Sequence, residues 1–358
     1  MKGFPSNSSP FNHNSSGGFF VPSPSQRLLP LDFLRVLACL AVMVIHVTSA
    51  FIYNDSGVTL WGMNPAFMLN QAARFSVPLF LLLSGFSLGI GRSQSYGTFL
   101  KTRCRKVLVP YVLWVLVYEG YNVALAGMPR PNSRDFLAHL VAGSSAPHPY
   151  FIPLLFQFYL LYPLLKKWVD RNPAAAFLWS LAITLGIQGL HSLDGLGILS
   201  LPLTTWLLRT GVGWSFYFVG GMCLQKIGWK GRSQEGKPLP LTLIFLGFAL
   251  LYAAWSFHTG LLDSMKPELM LYTLLVFLWG GTLWPAIQCR PVTTLVSFLS
   301  RHSMGIYFNH VLILCLLRYV PRFSLGMSGM VMLFLGTLCL SILTAWVLQK
   351  LRSILKAS

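Results

Sequence analysis

Charged side chains are scarce in this sequence. They make up 10% of 358 residues, and only nine residues are Asp or Glu. With 54% hydrophobic residues and a mean hydropathy of +0.61, the chain lacks the polar surface of a soluble domain, and a polytopic membrane protein is indicated. Cysteines in metal-ligand spacing are missing too. Cys39, Cys104, Cys223, Cys289, Cys315 and Cys339 fall inside or beside apolar runs, as small apolar side chains do, without a zinc motif or a disulfide framework. No metal is expected. No internal repeat appears, and no loop has the makings of a soluble domain. Residues 1–26 are rich in Ser, Asn, Gly and Pro and read as a disordered tail. They lack the charged start, apolar run and small-residue cleavage site of a signal peptide, so the first apolar run is expected to remain as an anchor.

What the chain does have is apolar runs. Ten are long enough to count as spans: 31–53, 71–91, 107–127, 149–168, 173–190, 205–226, 239–258, 268–287, 303–320 and 329–350. Polar or Gly/Pro-rich joints such as Ser93–Thr98 and Gly228–Pro240 separate them. The fold class is therefore all-α, a membrane bundle of about ten transmembrane helices in residues 27–358. The net charge of +18 suggests a nucleic-acid binder until its positions are read. With the amino terminus in the cytoplasm, nineteen of the 27 Lys and Arg fall on the cytoplasmic side, five outside and three within spans. That asymmetry is the positive-inside pattern, it places both termini in the cytoplasm, and it sets nucleic acid aside.

The first run, LDFLRVLACLAVMVIHVTSAFIY (31–53), holds Asp32, Arg35 and His46. Ionisable residues in a span are costly and usually face a protein interior or a wet cavity. Arg35 and His46 are eleven residues apart. Eleven helical steps end about 20° past three full turns, so both lie on one face, roughly 16 Å apart in depth. Taken alone, Arg35 also suits a snorkelling role at the headgroups and His46 a bond to a neighbouring helix. Glu119 is the acidic residue well inside a span, about 18 Å in from Val107 and near the depth of His46. A carboxylate there suits orienting His46 as a general base, or else marks the solvated end of a shorter helix. His310, in RHSMGIYFNH (301–310), is a candidate second catalytic group, with interhelical hydrogen bonding as the plainer reading. Lys101, Arg103, Arg105 and Lys106 precede the third span as headgroup anchors or as a phosphate clamp. Arg74, Arg209, His148, Tyr150, Gln157 and Tyr159 lie toward the outer side, either lining a cavity for a hydroxylated acceptor or sitting as interfacial anchors.

Several segments together resemble the membrane acyltransferase-3 family: LDFLRVLACLAVMVIHV (31–47), FSVPLFLLLSGFSLG (75–89), FLKTRCRKVLVPYVLW (99–114), HPYFIPLLFQFYLLYPLL (148–165), FYFVGGMCL (216–224) and SMGIYFNHVLIL (303–314). The family's Arg-ten residues-His motif falls on Arg35 and His46, and its Arg-X-Arg motif on Arg103 and Arg105. A tryptophan is common where this chain has Tyr150 or Phe151. The likeness is to the membrane domain, without a fused SGNH-type hydrolase domain. It implies a bacterial, multi-pass cell-membrane O-acyltransferase that takes an acyl group from cytoplasmic acyl-coenzyme A, acetyl-coenzyme A first among donors. The acceptor it implies is a hydroxyl of a surface glycan or lipid-linked saccharide. His46, Glu119 and His310 are then the catalytic candidates. Arg35, Arg103 and Arg105 hold the donor, and Arg74, His148, Tyr150 and Arg209 the acceptor. Expected partners are the bilayer, donor, acceptor, and a second copy or the glycan-synthesis machinery. A transporter or flippase, and an assembly subunit, are the competing readings.

Overall fold

A computed structural model describes residues 29–52, 64–90, 95–200, 210–229, 238–260, 263–319 and 326–357. The tail 1–26, Arg209 and parts of the joints 93–98 and 228–240 lie outside the described residues. The described residues form helices and turns, with no strand among them. The helices are α1 Leu29–Ser49, α2 Pro65–Ala72, α3 Ser76–Ile90, α4 Tyr96–Arg103, α5 Val109–Ala124, α6 Ser133–Ala142, α7 Phe151–Arg171 and α8 Pro173–Gly195. They continue as α9 Ser215–Lys226, α10 Pro238–Thr259, α11 Glu268–Ile287, α12 Arg290–Arg318 and α13 Met327–Ala357. Seven helical stretches among the described residues are long and apolar enough to cross a bilayer: Leu29–Ser49, Pro65–Ile90, Tyr96–Ala124, Pro173–Gly195, Pro238–Thr259, Glu268–Ile287 and Met327–Ile354. The other three expected runs correspond to α7, to the short α9 behind a 3-10 turn at Gly211–Trp214, and to α12.

The element ends follow local chemistry. Asn64 Oδ1 accepts from Ala66 N at 2.8 Å and Asn172 Oδ1 from Ala175 N at 3.0 Å. Pro65 and Pro173 follow as first helical residues, where a missing N–H costs nothing. The second expected span is divided. α2 and α3 meet at a turn through Ala73–Phe75, so Arg74 sits at a joint. Pro78 in the first turn of α3 cannot donate back to the Arg74 carbonyl, which favours a helix that starts afresh. The third span begins earlier than expected, with α4, and crosses a π-helical turn at Cys104–Leu108 just before Pro110. α12 likewise starts at Arg290, well before the expected 303.

α1 is central and touches α2, α3, α11, α12 and α13. α3 and α9 form the closest pair. A Cβ on Gly221 would run into the Leu82 carbonyl, and one on Gly85 into the Phe218 carbonyl, so glycine lets the two backbones meet. A second glycine matters at the end of α6. Gly143 has φ +66 and lies against the Tyr150 backbone, which lets the 144–150 loop fold back into the bundle. That return carries His148 inward, to 2% exposure.

Candidate active site

The neighbours of Arg35 and His46 place both side chains inside the bundle. Arg35 Nη1 donates to Asp32 Oδ1 at 2.8 Å and Nη2 to Ser87 Oγ of α3 at 2.7 Å. Ser300 of α12 also donates to Asp32 Oδ1, at 2.7 Å. At the other end of α1, the His46 ring lies 5.3 Å from His310 and 6.0 Å from His148 by centroids. His148 and His310 are 4.9 Å apart. Three imidazoles from α1, α12 and the 144–150 loop thus share one spot. Among the described residues, no group of three His, Cys, Asp or Glu is set to hold a metal ion.

The tautomer of His310 is fixed by its backbone. Nδ1 lies 2.7 Å from the Tyr307 carbonyl and 3.1 Å from that of Ile306. Carbonyls only accept, so Nδ1 carries the proton and Nε2 keeps the lone pair. That Nε2 is buried without a partner, and neither ring nitrogen of His148 makes a well-formed hydrogen bond, although the Phe308 backbone lies close to it. Two tyrosines clamp this turn of α12. Tyr118 of α5 donates to the Phe308 carbonyl at 2.8 Å and accepts from Leu312 N at 3.1 Å. Tyr307 donates to the His148 carbonyl. Both rings stand 5.2 Å from the His148 ring. The sequence reading did not single out Tyr118. Its signal was its place next to Glu119 on a helix face directed at α12.

Glu119 is placed differently from expectation. One helical step, about 100°, turns it away from the direction of Tyr118 and toward α6, where Oε1 lies 2.9 Å from His139 Nδ1. The imidazole it orients is therefore His139, and His46 has two other histidines as neighbours.

At the arginine end, the Arg103 guanidinium lies 5.3 Å from the Phe99 ring and 5.2 Å from the Tyr159 ring. Its Nε is buried without a partner. Arg35 also lies within electrostatic reach of Tyr159. Arg103 and Arg105 do not point the same way: Arg103 is half-buried and Arg105 exposed. Tyr159, read from sequence as an outer-side residue, belongs to this end. α7, from its N-cap Tyr150 to Tyr159, rises about 13 Å and so joins the two ends.

A cavity of about 910 Å³ is lined by Pro147 and Val311, the chain neighbours of His148 and His310, and not by the three clustered histidines themselves. Tyr150 and Gln157 line it, as do Tyr118 and His139. Arg74 lies within electrostatic reach of both His46 and Tyr150. Its Nε and Nη2 donate to Asn70 Oδ1 at 3.1 and 2.7 Å. Asn70 Nδ2 in turn donates to the Ile45 carbonyl at 2.9 Å, with Thr48 Oγ1 at 3.0 Å and Ser49 Oγ at 3.2 Å. Asn70, fully buried, thereby ties Arg74 to the turn of α1 that bears His46. The network continues through Gln71 to Lys266 Nζ at 3.4 Å. Lys266 also donates to Ser256 Oγ at 2.7 Å. Burial lowers its pKa from 10.5 to about 8.

Comparison with known proteins gives the family. The family model described as an acyltransferase domain matches residues 29–349, and the chain belongs to that acyltransferase-3 family. A Bacillus subtilis protein named as a membrane-bound acyltransferase, YfiQ, is 23% identical over 89% of this chain and 91% of its own. The Rhizobium meliloti succinoglycan biosynthesis protein ExoH is 26% identical over 64% of this chain and 62% of its own. A Staphylococcus aureus protein named for poly-beta-1,6-N-acetyl-D-glucosamine export is 24% identical over 39% of each chain. No solved structure matches. The protein is a multi-pass membrane acyltransferase.

Proposed function

We propose that this acyltransferase moves an acyl group, acetyl in the simplest case, from cytoplasmic acyl-coenzyme A to a hydroxyl of a surface glycan or lipid-linked saccharide. The observation that carries the reading is the pairing, along α1, of an arginine end with a cluster of three histidines. Arg35 and Arg103 suit the donor's phosphates, with Arg105 at the rim, because guanidinium forks match phosphate oxygens. The roughly 16 Å between Arg35 and His46 suits a donor whose charged end and thioester lie at the two ends of a flexible arm.

At the histidine end, His46 takes the proton of the acceptor hydroxyl while the oxygen attacks the thioester carbonyl. The C–O bond forms, the C–S bond breaks, and the proton passes to the departing coenzyme thiolate. His310, with its free Nε2, and His148 extend the proton path, and Arg74, whose charge reaches His46, stabilises the developing oxyanion. Holding both reactants in one dry site supplies much of the acceleration. Glu119 takes no direct part in this scheme.

His46→Ala is expected to abolish transfer of labelled acetyl groups from acetyl-coenzyme A in reconstituted membranes while the protein stays folded; full activity ends the general-base assignment. A carrier reading draws on the export name of the Staphylococcus aureus relative. Vesicles that accumulate saccharide without acyl product would favour it.

A further inference from the structure

We propose that the cavity of about 910 Å³ is the acceptor chamber, and that it takes the uncharged, hydroxyl-bearing part of a saccharide, with Glu119 and His139 as its hydroxyl-binding pair. The proposal rests on the acyl-transfer reading above and adds a substrate class and two residues to it.

The first argument is the dyad. Glu119 is 8% exposed, and its carboxylate faces His139 Nδ1 at 2.9 Å. A carboxylate only accepts, so Nδ1 bears the proton and His139 Nε2 is left to hydrogen-bond a hydroxyl, which both donates and accepts. His139 lines the cavity. A buried carboxylate that does no chemistry at His46 thereby acquires a use.

The second argument is charge. Among the described residues, no Lys or Arg lines the cavity. A phosphate or carboxylate bound there would be desolvated with no cation in the described lining, Arg74 reaching it only electrostatically past Tyr150, which is costly. Among the described residues the half-buried arginines lie elsewhere, at Arg35, Arg74 and Arg103. An uncharged sugar meets no such cost. The third argument is surface and size. Tyr118, Tyr121 and Tyr150 offer ring faces, and Asn122, Ser144 and Gln157 offer polar atoms. This mixture of carbon faces and spaced hydrogen-bonding groups complements a sugar ring. The volume lies at the upper end of the ~300–1,000 Å³ usual for small-molecule sites, enough for more than one ring.

The fourth argument is connection to the chemistry. Tyr118 lines the cavity and its ring stands 5.2 Å from His148. Val311, next to His310, lines it as well. A sugar held by His139 would extend its far hydroxyl toward the three imidazoles.

Cys315 also lines the cavity and is a free thiol, so occupancy can be read without catalysis. The full-length protein in nanodiscs is treated with N-ethylmaleimide, and Cys315 alkylation is quantified by peptide mass spectrometry. The reaction is run alone and with millimolar maltotriose, cellotriose, N-acetylchitotriose, glucose 6-phosphate or decanoate. Neutral oligosaccharide is expected to slow Cys315 alkylation at least threefold, with glucose 6-phosphate and decanoate without effect. His139→Gln and Glu119→Gln are expected to weaken that protection tenfold in concentration. Protection by decanoate instead marks a lipid-chain pocket and overturns the proposal. So does protection by no saccharide, or protection that both variants retain in full. His46→Ala should still be protected, so failure of the chamber and failure of the acyl-transfer reading give different results.

Discussion

Asn70 offers a sharp test of how the site is held. Its carboxamide accepts two N–H groups of Arg74 and donates to the last turn of α1. Asn70→Leu keeps the volume and removes both functions. Hydrogen bonds to a charged group contribute about 1.5–3 kcal/mol in soluble proteins, whereas interhelical bonds in membrane proteins average about 0.6 kcal/mol. Because Asn70 is fully buried and its loss removes two hydrogen bonds to the Arg74 guanidinium, while the Ile45 carbonyl keeps Ser49 Oγ and Thr48 Oγ1, a loss of about 2–3 kcal/mol is expected. The larger effect falls on turnover. His46 directly follows Ile45, whose carbonyl Asn70 fixes, and a displacement of about 1 Å at a reacting group can cost about a hundredfold. Asn70→Asp separates the two functions. It keeps an acceptor for Arg74 but sets a carboxylate against the Ile45 carbonyl, so kcat should fall about as far as in Asn70→Leu with less loss of stability. Denaturant titration in bicelles and acetyl-transfer kinetics measure the two quantities. A stability change under about 0.5 kcal/mol together with unchanged kcat in Asn70→Leu would refute this account of how His46 is positioned.

Other expectations follow from the same geometry. Arg103→Ala should raise the donor KM by about tenfold or more, as for a lost charge-assisted contact, and Arg105→Ala much less, because only Arg103 turns inward; donor titrations compare the two. Lys266, with its pKa lowered by burial to about 8, binds fewer protons folded than unfolded between pH 8 and 10.5. Stability should therefore rise with pH across that window, a rise that Lys266→Gln removes, as read by thermal unfolding at pH 7 and 9.5. Gly221→Val drives a side chain into the Leu82 carbonyl and should cost about 3 kcal/mol or more, visible as loss of the monodisperse peak in size exclusion.

Much of the architecture was legible because it depends on one-dimensional patterns. Residues 268–287 coincide with α11, and Pro173 marks the start of α8 where expected. The breaks were harder. The division at Ala73–Phe75 and the π turn before Pro110 carry Arg74 and Arg105–Lys106, and a charge beside an apolar run reads as its edge, which does not reveal a helix break or a π turn. At the site, helical arithmetic was enough to align Arg35 with His46. It also put Glu119 near the right depth, but depth says nothing of azimuth, and one step of rotation turned Glu119 to His139. His139 itself went unnoticed because it lies in α6, a ten-residue helix between spans. Asn70 and Lys266 escaped for a related reason. Their significance rests on partners as far as 25 and 195 residues away, which no local window contains.

The glycine contact between α3 and α9 has a mechanical consequence. Where two main chains touch with no side chains interposed, there are no rotamers to exchange and little freedom to slide, so the pair behaves as a single plate. Ser87, which grips Arg35, rides on that plate, whereas Arg103 belongs to α4 and leans on α7. A mouth that admits a bulky donor would then open by moving the Arg103 jaw away from a fixed Arg35 jaw, with the wide π turn beside Arg103 as the natural point of flexure.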